Sequence, residues 1–257
     1  MSYLRTWQFL ATLSIIFVLL LVFSKKFEHS VAGLPHWATS CPKNATPILV
    51  IGQSQASNTG PRRHISFSGS RAFADGKCYY MRDPMPGTAG RGGTIWPIFA
   101  DMLSKRVVVA NIAISGSAIK QWTMPEQIAK FRRTLADFRA AGYPKPIIIW
   151  MQGETDGASR TDAHIYYAHL HKILQIAPNN HWIITRESIC YTFQNKWAPL
   201  DVARDKIASE FPKVTIGPDL DAMGLEFRQT DHCHLTDEGQ ELLAKNLSAT
   251  AQYLIRH

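Results

Sequence analysis

The chain lacks the features that mark several protein classes. Only 19% of its 257 residues are charged, and no long polar tract interrupts it, which excludes extended disorder. It has no basic stripe interleaved with aromatics. Its formal net charge of +8 is spread over short pairs such as Lys25-Lys26, Arg62-Arg63, Lys105-Arg106 and Arg132-Arg133, which argues against nucleic acid as a partner. A generally basic surface of this kind still attracts anionic polysaccharide or lipid headgroups. The chain has only four cysteines and no Cys-x-x-Cys pair, so a zinc site is not expected. It has no internal repeats.

One long apolar run is present. Trp7 to Phe23 carries no charge and is slightly short of the about 20 residues that span a bilayer. It is read as an uncleaved transmembrane anchor covering residues 1–24. The run is too long for a signal-peptide core, and Lys25-Lys26 follow it almost directly. A cleaved signal peptide, with Ser30-Val31-Ala32 as its site, is the competing reading. Either one puts the globular part outside the cytoplasm, periplasmic or extracellular. Residues 25–45 read as a linker and 46–257 as one domain, large enough for a substantial core. In an exported domain the four cysteines permit two disulfides with three pairings. Cys41 with Cys78 and Cys190 with Cys233 is the expected set, each pair falling near strand ends on one side. Four unpaired buried thiols are the alternative.

Beyond the linker, continuous apolar runs alternate with helical patterns. Strands are predicted at 48–52, 107–114, 147–151, 182–185 and 214–217, and helices at 94–105, 125–141, 160–175, 199–210 and 236–254. Pro125 suits a first helical turn, Thr236 can cap the last helix, and Ala141-Gly142-Tyr143-Pro144 stops the second of them. Apolar strands each followed by a helix predict a five-stranded parallel sheet in a flavodoxin-like three-layer α/β/α sandwich. Residues 53–93 are the exception. They hold ten glycines or prolines without a clear period and read as loops walling a site.

The chemistry gathers at the strand ends. Ile48-Leu49-Val50-Ile51-Gly52-Gln53-Ser54 ends an apolar run on a serine hydroxyl, where open α/β sheets bind ligands. A hydroxyl needs a base to become a nucleophile. Downstream, Asp231-His232-Cys233-His234 offers His234 as that base, with Asp231 placed to fix its tautomer from three residues away. His232 is a rival base. A metal held by His232, Cys233 and His234 is discounted, because no further ligand cluster accompanies them. Gly116, after another strand, can bring a backbone N–H close to a substrate oxygen. Gln152 can donate carboxamide N–H bonds to an oxyanion. Glu154 and Asp156 either contact a sugar or hold loops.

In this order, Gly52-Gln53-Ser54, Gly92-Gly93-Thr94-Ile95-Trp96, Gly116, Gln152-Gly153-Glu154-Thr155-Asp156 and Asp231-His232-Cys233-His234-Leu235-Thr236 resemble the SGNH (GDSL-type) hydrolases. More narrowly, they resemble their sialate O-acetylesterase-like carbohydrate esterase branch, over about residues 46–255. The resemblance implies Ser54, His234 and Asp231 as the triad. It also implies an oxyanion hole from the N–H groups of Ser54 and Gly116 with Gln152 as third donor. Gln53, Gln55, Glu154 and Arg91 are the expected substrate contacts. Gln55 departs from the branch, which has asparagine after the serine. No cofactor or metal is expected.

The activity this implies is removal of O-acetyl groups from carbohydrate by a membrane-anchored serine esterase. The membrane is a partner through the N-terminal helix, and polysaccharide-assembly proteins of the envelope are possible ones. The same residues also suit an O-acetyltransferase, in which a sugar hydroxyl replaces water. A non-catalytic glycan-binding scaffold is the third reading.

Overall fold

The structure is a computed structural model that describes residues 38–190 and 195–256. The predicted anchor lies outside the described residues. Among those described, no helix is long and apolar enough to cross a membrane.

Among the described residues, eight strands form one sheet: β1 (Ala38–Thr39), β2 (Thr46–Gly52), β3 (Arg71–Ala74), β4 (Lys77–Tyr80), β5 (Val107–Asn111), β6 (Ile147–Met151), β7 (Trp182–Arg186) and β8 (Val214–Asp219). Their order is β1-β4-β3-β5-β2-β6-β7-β8. The strands from β3 to β8 in that order are mutually parallel, while β4 runs antiparallel to both β3 and β1. The five predicted strands are all present. The expected five-stranded sheet is corrected to eight by β1, β3 and β4, which lie on or beside the stretch read as linker and loop.

The reason is local. Asp75 and Gly76 both take positive φ (48° and 73°) and close a tight hairpin between β3 and β4. Cys41–Cys78 then staples the segment after β1 to β4, as the expected pairing had it.

The helices are α1 (Trp96–Met102), α2 (Pro125–Ala140), α3 (Glu154–Ala158), α4 (Ala163–Leu174), α5 (Pro199–Glu210) and α6 (Asp237–Arg256). Alternation along β2 sorts them into two layers. Ile48 and Val50 pack with Trp96 and Phe99 of α1 and with Leu243 and Leu247 of α6. Leu49 and Ile51 pack on the other face with Phe131 of α2, Tyr166 of α4 and Leu200 of α5. Pro125 opens α2, and the Thr236 hydroxyl accepts the Gly239 N–H at 3.1 Å to cap α6. The carboxyl ends of β2, β5 and β6 meet in the middle of the sheet, so loops leaving those three strands converge on one place.

Candidate active site

The nucleophile segment is set by one glycine. Gly52 has φ +148°, and a β-carbon there would stand 1.8 Å from the Met151 carbonyl oxygen. Only glycine lets β2 end against β6 this closely. The Gln53 N–H then donates to Met151 O at 2.8 Å, and a 3-10 turn begins at Ser54. The Thr59 hydroxyl bonds the Ser54 carbonyl at 2.8 Å and fixes the turn from the far side.

A cavity of about 340 Å³ opens over this turn. Gln53, Ser54, Thr59, Ser115, Gly116 and His234 are among the residues that line it. Gly116 holds φ +70°, and a β-carbon there would meet nothing within 4 Å. Its conformation, not its surroundings, calls for glycine.

The loop before α6 supplies the imidazole. Asp231 Oδ2 accepts from His234 Nδ1 at 2.6 Å, and Asp231 Oδ1 accepts the backbone N–H groups of Cys233 and His234 at 2.9 and 3.0 Å. Partial burial pushes the Asp231 carboxyl up, but the imidazole bond and the two N–H bonds outweigh it and hold the group below its ordinary value. An ionised Asp231 accepts the Nδ1–H, which makes Nε2 the basic nitrogen. His232 takes φ +56° to form the turn and does not line the cavity.

Three tethers hold this loop. The expected Cys190–Cys233 disulfide is present, Arg228 Nη1 donates to Cys233 O at 2.9 Å, and Gln55 Nε2 donates to the same carbonyl at 2.6 Å. Gln55 therefore ties the serine turn to the histidine loop and is not a wall of the cavity, contrary to the substrate contact expected of it. Arg91, another expected substrate contact, is not brought to the cavity. It lies exposed on a loop outside the cavity lining, with its carbonyl accepting Arg63 Nε at 2.8 Å.

The largest correction concerns Gln152. It is fully buried and absent from the cavity wall. Its Nε2 serves Gln53 Oε1, Ser117 O and Asp156 Oδ2 at 3.1, 3.0 and 2.6 Å, and its Oε1 accepts the Tyr166 hydroxyl at 2.9 Å. Two hydrogens shared among three acceptors leave none for an oxyanion.

Gln53 does line the cavity, and its side chain is held in one orientation. Its Oε1 accepts from Gln152 Nε2 and from the Gly153 and Thr155 N–H groups, both at 3.3 Å. Backbone N–H groups can only donate, so the carbonyl end is fixed there and the NH₂ end is fixed away from it. Sequence reasoning placed Gln53 at the substrate but missed this orientation, because it depends on loops a hundred residues distant.

Asp156 holds loops. It accepts from the Ile119 N–H at 2.7 Å and the Thr161 hydroxyl at 2.8 Å in addition to Gln152. Glu154 borders the cavity, yet its carboxylate oxygens are buried without a hydrogen bond from another residue. Burial first, and the Asp221 charge after it, push its carboxyl from 4.5 up to about 7. Its own N–H, Arg228 and Arg204 pull against them. Burial likewise raises Glu187 well above the usual range, with Glu154 adding to it. No cluster of three or more potential metal ligands occurs among the described residues.

Comparison with known proteins identifies the fold and the family. Among solved structures, a protein from Arabidopsis thaliana superposes with a TM-score of 0.64 at 18% identity, covering 82% of this chain and 98% of its own. The esterase EstA from Pseudoalteromonas sp. gives 0.56 at 11% identity over 82% and 100%. A family 3 carbohydrate esterase from Talaromyces cellulolyticus gives 0.54 at 12% identity over 82% and 98%. At these identities the likeness is one of fold. No curated protein matches at the level of sequence. The family described as "Carbohydrate esterase, sialic acid-specific acetylesterase" matches residues 96–253, more than half of the chain. The chain therefore belongs to this family of SGNH-type carbohydrate esterases, and it is a carboxylic ester hydrolase acting on carbohydrate acetyl groups.

Proposed function

We propose that Ser54, His234 and Asp231 carry out this hydrolysis, in a domain anchored to a membrane by residues 7–23 and working outside the cytoplasm. One observation carries the catalytic part: Ser54, Gly116 and His234 line a single cavity, with Asp231 bonded to the far side of the imidazole. His234 Nε2 takes the Ser54 proton as Oγ attacks the acetyl carbon. The developing oxyanion meets the N–H groups of Ser54 and Gly116 and the Gln53 NH₂ group. The C–O bond to the sugar then breaks, and His234 returns the proton to the leaving sugar oxygen. Water attacks the acetyl-Ser54 ester, gives its proton to His234, and acetate leaves as Ser54 is reprotonated.

The preset direction of Gln53 supports this assignment. A donor locked before the substrate arrives needs no reorganisation as charge develops. The two disulfides support the exported location, since such bonds persist in oxidising compartments.

The test is hydrolysis of a small acetyl ester and of O-acetylated sugars by the full chain. Ser54→Ala should lose activity by about 10⁴-fold or more while keeping its fold. Undiminished turnover by that variant refutes the assignment. Alkaline extraction of the full chain from membranes tests the anchor, and release into the supernatant refutes it.

A further inference from the structure

The end of the sheet opposite the cavity carries a different surface. Arg71 opens β3 and pairs with Tyr80 at the close of β4, and β5 begins at Val107, directly after Lys105-Arg106. Because β3 and β5 are parallel to β2, all of these groups lie at the amino edge of the sheet, while Ser54 follows the carboxyl edge.

Several large apolar side chains stand in solvent here. Phe67 is 88% exposed, Ile65 58%, Tyr80 55% and Met102 44%. They are neighbours by backbone pairing: Ile65 bridges Arg82, the Ser66 N–H donates to Met81 O, and the Phe67 N–H donates to the Asp101 carboxylate beside Met102. The nearby charges are mostly cationic. Arg71 stacks over the Tyr80 ring at 5.1 Å, Lys105 and Arg106 are exposed, and Arg82 is half-exposed. The one acid among them, Asp101, is occupied by the N–H groups of Phe67 and Ser68 and by the Ser66 hydroxyl.

The chain also enters the domain at this edge. Ala38 pairs with Tyr79, so residue 38 starts beside the exposed tyrosine. The segment between Phe23 and Ala38 reaches at most about 50 Å when fully extended, which keeps this edge within range of a bilayer holding residues 7–23.

We infer that the amino edge of the sheet is a membrane-docking surface. Ile65, Phe67, Tyr80 and Met102 would insert at the headgroup boundary of an anionic phospholipid bilayer, and Arg71, Arg82, Lys105 and Arg106 would meet the lipid phosphates. An exposed aromatic knuckle ringed by cations matches what an anionic interface offers. The inference rests on the anchoring reading above and adds an orientation to it. With the amino edge on the lipid, the cavity faces away from the bilayer, roughly 20 Å further out across the sheet. The substrate this suits is carbohydrate in the space above the membrane.

The test uses the full chain with Phe67→Cys carrying an environment-sensitive fluorophore. Both native cysteine pairs are closed, so the label goes to the new thiol. Val202→Cys, exposed near the start of α5 at the carboxyl edge, is the control, and Met102→Cys serves as a second probe should position 67 not tolerate the label. The protein is incorporated into vesicles of phosphatidylcholine with phosphatidylglycerol, or of phosphatidylcholine alone. At positions 67 and 102, blue-shifted emission and quenching by doxyl-labelled lipid are expected in the anionic vesicles, weakened by salt, with neither effect at 202. Equal spectra at 67, 102 and 202 overturn the proposal. So does a shift at 67 without lipid accompanied by a doubled mass, which would assign the face to a second copy of the chain. Alkaline extraction of the same sample scores the anchor separately. If the chain is released, the soluble protein is added to the same vesicles, and the probe at 67 still decides whether the face binds lipid.

Discussion

The two sides of the cavity are built by different means. The serine side grows out of the centre of the sheet: β2 lies between β5 and β6, Gly52 presses on Met151 O, and Gln53, Ser54 and Gln55 are all buried. The histidine side is a partly exposed loop between a 3-10 turn and α6, held by a disulfide and by bonds from Arg228 and Gln55. Core packing positions a side chain at no cost beyond what the fold already requires, whereas a surface loop needs dedicated ties. The acids follow the same division. Asp231 is held ionised by its bonds, while burial shifts Glu154 toward its protonated form.

The predictions press on this contrast from its strongest point downward. Asp231→Asn should reduce kcat by about 10⁴-fold with little change in Tm, because it spoils the His234 tautomer on an already exposed loop. A comparable loss of Tm would place the loop in the folding core and erase the contrast. Gln53→Ala should lower kcat by about 10²–10³-fold, the loss associated with one oxyanion donor. An unchanged kcat would remove Gln53 from the reaction. Gln55→Ala, which cuts one bond between the two sides, should lower Tm by about 2–4 °C and reduce kcat more than KM. Calorimetry and steady-state kinetics on one preparation read both.

Glu154→Gln probes the buried acid through pH. Folding raises its pKa from 4.5 to about 7, so the folded chain keeps a proton that the unfolded chain releases within that window. The native contribution to stability is therefore full below about 4.5 and declines as pH rises toward 7. The variant should gain stability relative to the parent across that interval and hold a constant difference above it. Urea titrations at a series of pH values measure the difference, and a flat one would mean Glu154 is solvated.

The central sheet was legible because β2, β5, β6 and β7 are apolar runs, whose burial on both faces leaves a plain mark in sequence. The hairpin Arg71–Tyr80 was hidden by the glycines and prolines around it, although Asp75-Gly76 carried the turn signal. Ser54, Gly116 and His234 were found from strand ends and spacing, and the structure brings them to one cavity. Gln53 lines the cavity and Gln152 lies buried off it, and each amide's direction is decided by partners at long range, here the Gly153 and Thr155 N–H groups and the Asp156 carboxylate. Alternation and spacing do not encode which end of a carboxamide faces which neighbour.

The two glycines beside Ser54 carry different mutational permissions. At position 116 a side chain has room and meets only the penalty of positive φ, so asparagine, which visits that region most readily, is the replacement tolerated at least cost. At position 52 a neighbouring carbonyl occupies the space of any side chain, so no residue type is a mild replacement there. A saturation library would thus show a graded profile at one glycine and a blank one at the other, an imprint of angle and of volume in the same protein.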